Sequence, residues 1–301
     1  MAESIHSNRT KPLSLAFSGG GAKCAAQAGV LSVLEAAGLP VGAIAGASGG
    51  GLVGILYGLG FSPRTIAETF AGLHLLDMWE PDPERRAVFG PVKIRARVHS
   101  LVGDKTFADL KLPVTAVAVD LTTKREVDLN TGSLEEAMMA TMAVPGFFAP
   151  LTRGQAVLVD GAMLNPMPVD VARRLGPRVV AVDVNYDSLF HPANQIFETR
   201  GPMRYVTEVT RRLGLNALLD NGFTIVGLAT NRLSELSLQL HPPDVLIRPV
   251  TGPIGLFAFD LAWQAFQAGE AATREALPRL VALARPSVRS RLAARFRRRA
   301  R

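Results

Sequence analysis

The chain has 301 residues, 48% of them apolar and 20% charged, a composition that excludes a disordered polypeptide and supplies enough apolar side chains for a sizeable core. A single cysteine, Cys24, excludes an internal disulfide framework, and five scattered histidines without HxxxH or HxH spacing argue against a zinc site. The formal net charge of +7 sits at one end: residues 285–301 hold eight arginines and no acid, and without those charges residues 1–284 stand at about −1. A nearly neutral body gives no reason to expect specific nucleic-acid binding.

Residues 1–12 read as a short leader with no apolar stretch before a small-residue cleavage site, which points to a cytoplasmic protein. Leu13 to Ser18 is an apolar run bounded by Pro12 and three glycines, and predicts a buried strand. The segment after Gly21 has helical apolar spacing (Val30, Leu31, Val33, Leu34) and stops at Gly38. Val41 to Ala45 predicts a second strand and Gly49 to Gly58 a second helix, so the chain opens as a βαβ unit with a parallel sheet. Ala36 to Pro63 carries no charge over 28 residues, but nine glycines and Pro40 make a single membrane-spanning helix a poor reading.

Ser62-Pro63 predicts a helix start, after which WEPDPERRAVFGP reads as a turn-rich surface excursion. Further strands are predicted at 113–120, 124–129, 156–159, 178–183 and 244–247, with a helix capped by Ser133 and supported by Glu136. Residues 184–243 hold helical stretches whose order the pattern does not give, and 256–284 is mostly helical. The expected organisation is one α/β unit over 13–284, followed by a basic tail over 285–301.

Three clusters bear on chemistry. Gly46-Ala47-Ser48-Gly49-Gly50 is a G-x-S-x-G pentapeptide between a predicted strand and a predicted helix. Such a turn exposes a nucleophilic serine, and Gly46 and Gly50 let the backbone pass closely; the same letters also suit a plain glycine-rich turn with a helix-capping serine. Ser18-Gly19-Gly20-Gly21-Ala22-Lys23 is a second glycine-rich strand-to-helix turn, suited to a small anion. It lacks the last glycine of a dinucleotide fingerprint, where Cys24 stands, and it has no Gly-Lys-Ser/Thr. Lys23 either adds charge there or is an ordinary solvated first-turn lysine. Asp160-Gly161 ends a short strand, and by itself reads as a turn former.

In this order and spacing the clusters resemble the patatin-like phospholipase family, whose pattern has a glycine-rich loop, G-x-S-x-G about 25 residues later, and Asp-Gly about a hundred residues beyond. PVTAVAVDLTT (113–123), AMMATMAVPGFFAP (137–150) and VDGAMLNPMPVDVARRLG (159–176) are similar to its linking blocks, so the resemblance runs from about Leu13 to Asn185. Four departures stand out: Cys24 for a glycine, Thr141 for a serine, Ala162 for a second glycine after Asp160-Gly161, and Lys124 where a Thr-Gly turn is common.

The resemblance implies a three-layer α/β/α fold with a mainly parallel central sheet. It also implies a serine acyl hydrolase of lipid esters, with Ser48 as nucleophile and Asp160 as base. Gly20 and Gly21 would stabilise the oxyanion, with Gly19 contributing to the loop, and no metal or organic cofactor is needed. A histidine triad through His191 or His241 remains open by chain order alone, although each precedes proline. Cys24 reads as a small buried hydrophobe. Runs within 61–89 and 255–263 line an acyl channel or simply form core. The arginine-rich tail suits an anionic membrane surface, a solubilising end or a generic polyanion contact. An acyltransferase or thioesterase on the same serine, or a silent lipid-binding protein, are the rival readings.

Overall fold

The computed structural model describes residues 10–75, 77–186, 216–252 and 254–286. Its centre is an eight-stranded sheet: β1 (Leu13–Phe17), β2 (Val41–Ala47), β3 (Val114–Asp120), β4 (Arg125–Leu129), β5 (Leu151–Arg153), β6 (Ala156–Asp160), β7 (Val179–Val182) and β8 (Val245–Ile247). The order is β5-β6-β3-β2-β1-β7-β8, with β4 paired to β3 off that path. The pairs β3-β2, β2-β1, β1-β7 and β7-β8 are parallel, whereas β4 and β6 meet β3 antiparallel and β5 meets β6 antiparallel.

Alternation along β1 shows why three layers form. Leu13, Leu15 and Phe17 face one core with α1 (Ala25–Ala36) and a C-terminal helix over Ala262–Ala284, while Ala16 faces a second core. In that second core Ala45, Val117 and Ala181 meet Val169, Val171 and Ala172 of a short helix over Val169–Leu175. A parallel sheet must bury both faces, and here small residues fill one side and large ones the other. The arrangement is three-layer α/β/α with a largely parallel sheet.

The remaining helices are α2 (Gly49–Gly58), α3 (Pro63–Ala71), α4 (Pro91–Val102), α5 (Leu134–Thr141), α6 (Val169–Leu175), α7 (Asn216–Leu240) and α8 (Ala262–Ala284). Ser62 caps α3 by accepting the Thr65 N–H at 3.1 Å, and Ser133 caps α5 by accepting the Glu136 N–H at 3.3 Å. The segment WEPDPERRAVFGP is turn-rich as expected, whereas α4 after it was not expected: its four cationic or histidine residues among Pro91–Val102 hide a buried stripe of Ile94, Val98 and Val102. The strands β5 and the helix α6 are additions to the elements expected from sequence. Ala36–Pro63 is divided between β2, a tight turn and α2, and no helix among the described residues is long and apolar enough to cross a membrane. Lys124 adopts φ 57 in the β3–β4 turn, a conformation for which glycine is preferred.

The chain leaves β1 towards β2 and β3 on one side and later returns to place β7 and β8 on the other. The loop after β1 therefore lies at the point where strand order reverses, the usual place for a site in an open parallel sheet. Residues 287–301, which hold most of the basic tail, and His191 lie outside the described residues.

Candidate active site

Two adjacent parallel strands deliver the first two clusters to one end of the sheet. β1 runs into Ser18–Gly21 and then a 3-10 turn (Gly21–Cys24) that leads into α1. β2 runs into Ser48, which is the residue before α2. Ser48 has φ 52 and ψ −130, an arrangement L-residues rarely adopt, and it is the strained strand-to-helix turn expected of a serine held out from the sheet. The crossing is close: a Cβ on Gly46 would meet the Gly50 carbonyl carbon at 2.5 Å, and one on Gly50 would meet the Ser18 oxygen at 2.6 Å. Only glycines fit both sides of the turn.

The third cluster arrives on β6, where Ala118 of β3 pairs with Asp160. Asp160 is 1% exposed, and the Ser48 side chain lies near enough to favour its ionised form. Asp160 accepts the Ala162 N–H at 2.8 Å, so the carboxylate is aimed by its own turn. Burial pushes its pKa up to about 7, and the Ser48 side chain and the Ala162 N–H act against that rise. Gly161 packs its Cα directly on the Val117 carbonyl, which keeps this turn tight against β3.

In the glycine-rich loop, Gly19 donates its N–H to Pro166 O at 3.1 Å and is thereby a scaffold member. A Cβ on Gly19 would lie 3.2 Å from the Ser48 Cβ, so this loop and the serine turn are in direct contact. The N–H groups of Gly20 and Gly21 have no protein acceptor among the described residues. Gly21 has φ 54 and packs against Leu256 O, which leaves no room for a side chain. The first turns of α2 and of the α1 lead-in both open here and bring their positive dipole ends to the site, although at the lead-in Ala22 and Lys23 already donate to Leu256 O and Gly20 O.

Lys23 is not the solvated lysine allowed for above: it is 7% exposed and sits within the 3-10 turn. Cys24 is fully buried with its thiol 3.6 Å from Ser18 O, and burial first and the Asp160 charge second hold its pKa far above the ordinary value. A Cβ on Gly49 would lie 2.7 Å from Cys24 Sγ, so the thiol fills the space between the two helix starts. It behaves as a packing group.

Thr141 contributes a feature that sequence reasoning had noted only as a departure. Its hydroxyl accepts the Ser48 N–H at 2.9 Å and donates to Val117 O at 2.6 Å. The available signal was a hydroxyl within the apolar run AMMATMAVPG.

Ser48 opens into a cleft of about 810 Å³ of free space, including its open mouth. Gly21 and Gly49 border it beside the serine, and Leu52 and Leu56 carry it along α2. Phe70, Leu73, Leu75 and Met78 from one expected run and Leu256, Phe257 and Phe259 from the other form further walls. Those runs are therefore both core and cleft wall. Ile94, Arg97, Val98 and Leu101 of α4 and Met138 and Met142 around α5 complete it. No histidine lines the cleft among the described residues, and His241 is exposed at the end of α7. Among the described residues no three His, Cys, Asp or Glu side chains converge as a metal site would require.

A model of the patatin-like phospholipase family matches residues 15–173, more than half of the chain and all three clusters. The chain belongs to the patatin-like phospholipase family. It is 29% identical over 184 residues to an uncharacterised NTE family protein of Mycobacterium tuberculosis, a match covering 60% of this chain and 51% of that protein. It is 32% identical over 184 residues to the human patatin-like phospholipase domain-containing protein 6, covering 57% of this chain and 13% of that one. The chain thus spans about half the length of its mycobacterial relatives and a small part of the human one. VipD from Legionella pneumophila has a similar fold, with a TM-score of 0.51 at 14% identity over 90% of this chain and 67% of VipD. Members of the patatin-like superfamily generally act as lipid and ester hydrolases.

Proposed function

We propose that this chain hydrolyses carboxyl esters of lipids (phospholipids, lysophospholipids or acylglycerols) through Ser48 and Asp160. The observation that carries this reading is a strained serine beside a buried aspartate at the head of an apolar cleft. Ser48 Oγ attacks the ester carbonyl while Asp160 accepts its proton. A carboxyl group near pKa 7 is a better proton acceptor than an ordinary aspartate and a competent donor in the next step. The N–H groups of Gly20 and Gly21 receive the negative charge on the carbonyl oxygen, a contribution worth ~3 kcal/mol per donor in comparable sites. As the tetrahedral intermediate collapses, Asp160 returns the proton to the leaving alkoxide, and the acyl group stays on Ser48. Water, deprotonated by Asp160, then releases the fatty acid and restores the serine.

The cleft favours an acyl chain because its walls are almost wholly hydrocarbon. In this reading residues 13–284 form the hydrolase unit. The arginine-rich tail 285–301 holds it at an anionic membrane surface, each arginine contributing ~1 kcal/mol near such a surface. The test is hydrolysis of a short p-nitrophenyl acyl ester by wild type and Ser48→Ala in the presence of EDTA. Turnover that depends on Ser48 and ignores the chelator is the expected result. Equal rates in the two proteins refute the assignment.

A further inference from the structure

The oxyanion loop is held from outside by a residue that takes no part in the chemistry described above. Asn185 follows β7, across the sheet's reversal point from β2, and its Nδ2 donates to Gly19 O at 2.7 Å. Gly19 C=O and Gly20 N–H belong to one planar peptide group and point in opposite directions. Whatever fixes the carbonyl therefore fixes the direction of the Gly20 N–H. Because a carbonyl only accepts, the side-chain amide of Asn185 must present its NH2 here.

Asn185 is itself anchored on both sides. Its N–H donates to Asp183 Oδ1 at 3.1 Å, and its own carbonyl accepts from Asn231 Nδ2 of α7 at 3.0 Å. The neighbouring Val184 donates its N–H to Ser18 Oγ at 3.1 Å, binding the same segment to the start of the loop. A Cβ on Gly20 would lie 2.6 Å from Val184 Cγ2 and 3.2 Å from Asn185 Oδ1, so this segment also packs against the glycine it orients. Gly19 N–H, on the far side, is held by Pro166 O at 3.1 Å. The peptide 19–20 is thus clamped at its carbonyl, while its N–H has no acceptor among the described residues.

We infer that Asn185 is the positioning residue of the oxyanion site, fixing the Gly19–Gly20 peptide so that the Gly20 N–H is directed at the reacting carbonyl oxygen. This rests on the hydrolase reading given above. Two effects act together: rotation of the peptide breaks the Asn185 bond, and donation to Gly19 O polarises the peptide and makes its N–H a stronger donor. Such an arrangement stabilises the transition state more than the bound ester, because the charge on oxygen develops only during attack.

The experiment compares wild type with Asn185→Leu, which is close in size and lacks the donor, and with Asn185→Ala. In both variants kcat is expected to fall about 10- to 100-fold with KM within about 2-fold, as for loss of a transition-state interaction. Affinity for a trifluoromethyl ketone, whose hydrated adduct carries the oxyanion, falls by a similar factor. The Gly20 amide 15N resonance, which responds to hydrogen bonding at the preceding carbonyl, shifts in both. A Gly20 resonance and a kcat unchanged from wild type overturn the proposal. If the resonance shifts but wild type shows no Ser48-dependent turnover, the anchor stands and the hydrolase reading falls.

Discussion

The hydroxyl of Thr141 holds the main chain of Ser48: it accepts the Ser48 N–H at 2.9 Å and passes its own proton to Val117 O at 2.6 Å. One fully buried side chain thereby joins the end of α5 to the turn after β2 and to β3. The Ser48 backbone sits at φ 52, where an L-residue stays only if its surroundings compel it. Thr141 supplies part of that compulsion.

Replacing Thr141 by valine keeps the shape and removes both bonds. A buried N–H and a buried carbonyl then lose their partner, at a cost of about 1–3 kcal/mol each when unsatisfied. Thr141→Val is expected to lower stability by roughly that amount and to reduce kcat as the turn relaxes, whereas Thr141→Ser keeps the hydroxyl and loses only a methyl, about 1 kcal/mol. Urea unfolding and ester turnover on the three proteins decide it. A valine variant matching wild type in both would show that the hydroxyl has no part in holding the turn.

The strand-to-helix turns of the candidate site were legible because each is one short stretch of sequence. Gly46–Gly50 is a strand, a serine and a helix start in one stretch, and Gly46 is demanded by Gly50 and Gly51 a few residues along, although Gly50 is demanded by Phe17 and Ser18 at the neighbouring turn. The sheet was legible for the same reason, since a strand buried on both faces is an uninterrupted apolar run, as in VTAVAV of β3. What sequence pattern missed is non-local. Thr141 acts on a serine 93 positions away, and Asn185 acts on a glycine 166 positions away. Neither partner is visible from its neighbours. The helix α4 escaped because its cations dominate the composition while only Ile94, Val98 and Val102 face inward.

The cleft gives a prediction about chain length. Leu52 lies one turn beyond Ser48 on α2 and forms part of the wall. A tryptophan there fills space that the first methylenes of an acyl chain would occupy, and each excluded methylene forfeits about 0.8 kcal/mol of burial. Leu52→Trp is expected to lower kcat/KM for a decanoyl ester at least about 10-fold while changing that for the acetyl ester less than about 3-fold. Unchanged selectivity between the two esters would place the acyl chain elsewhere.

The buried Asp160 ties activity and stability to pH in opposite senses. As the proposed base it must be ionised, and with a pKa of about 7 the rate is expected to rise through neutral pH and level off above it. For stability, its folded pKa lies above the ordinary value of 3.8, so between those values the native state binds more protons than the unfolded chain. Stability linked to this group is therefore greatest below about pH 4 and declines as pH rises towards 7, where the carboxylate must be buried charged. Asp160→Asn removes the charge while an amide oxygen can still accept the Ala162 N–H. The variant is expected to be inactive, yet to have a higher Tm than wild type at pH 8, with the difference shrinking towards pH 5. Thermal melts of both proteins at the two pH values measure it. A variant that melts below wild type at pH 8 would mean that the hydrogen bonds to the Asp160 carboxylate outweigh the cost of burying its charge.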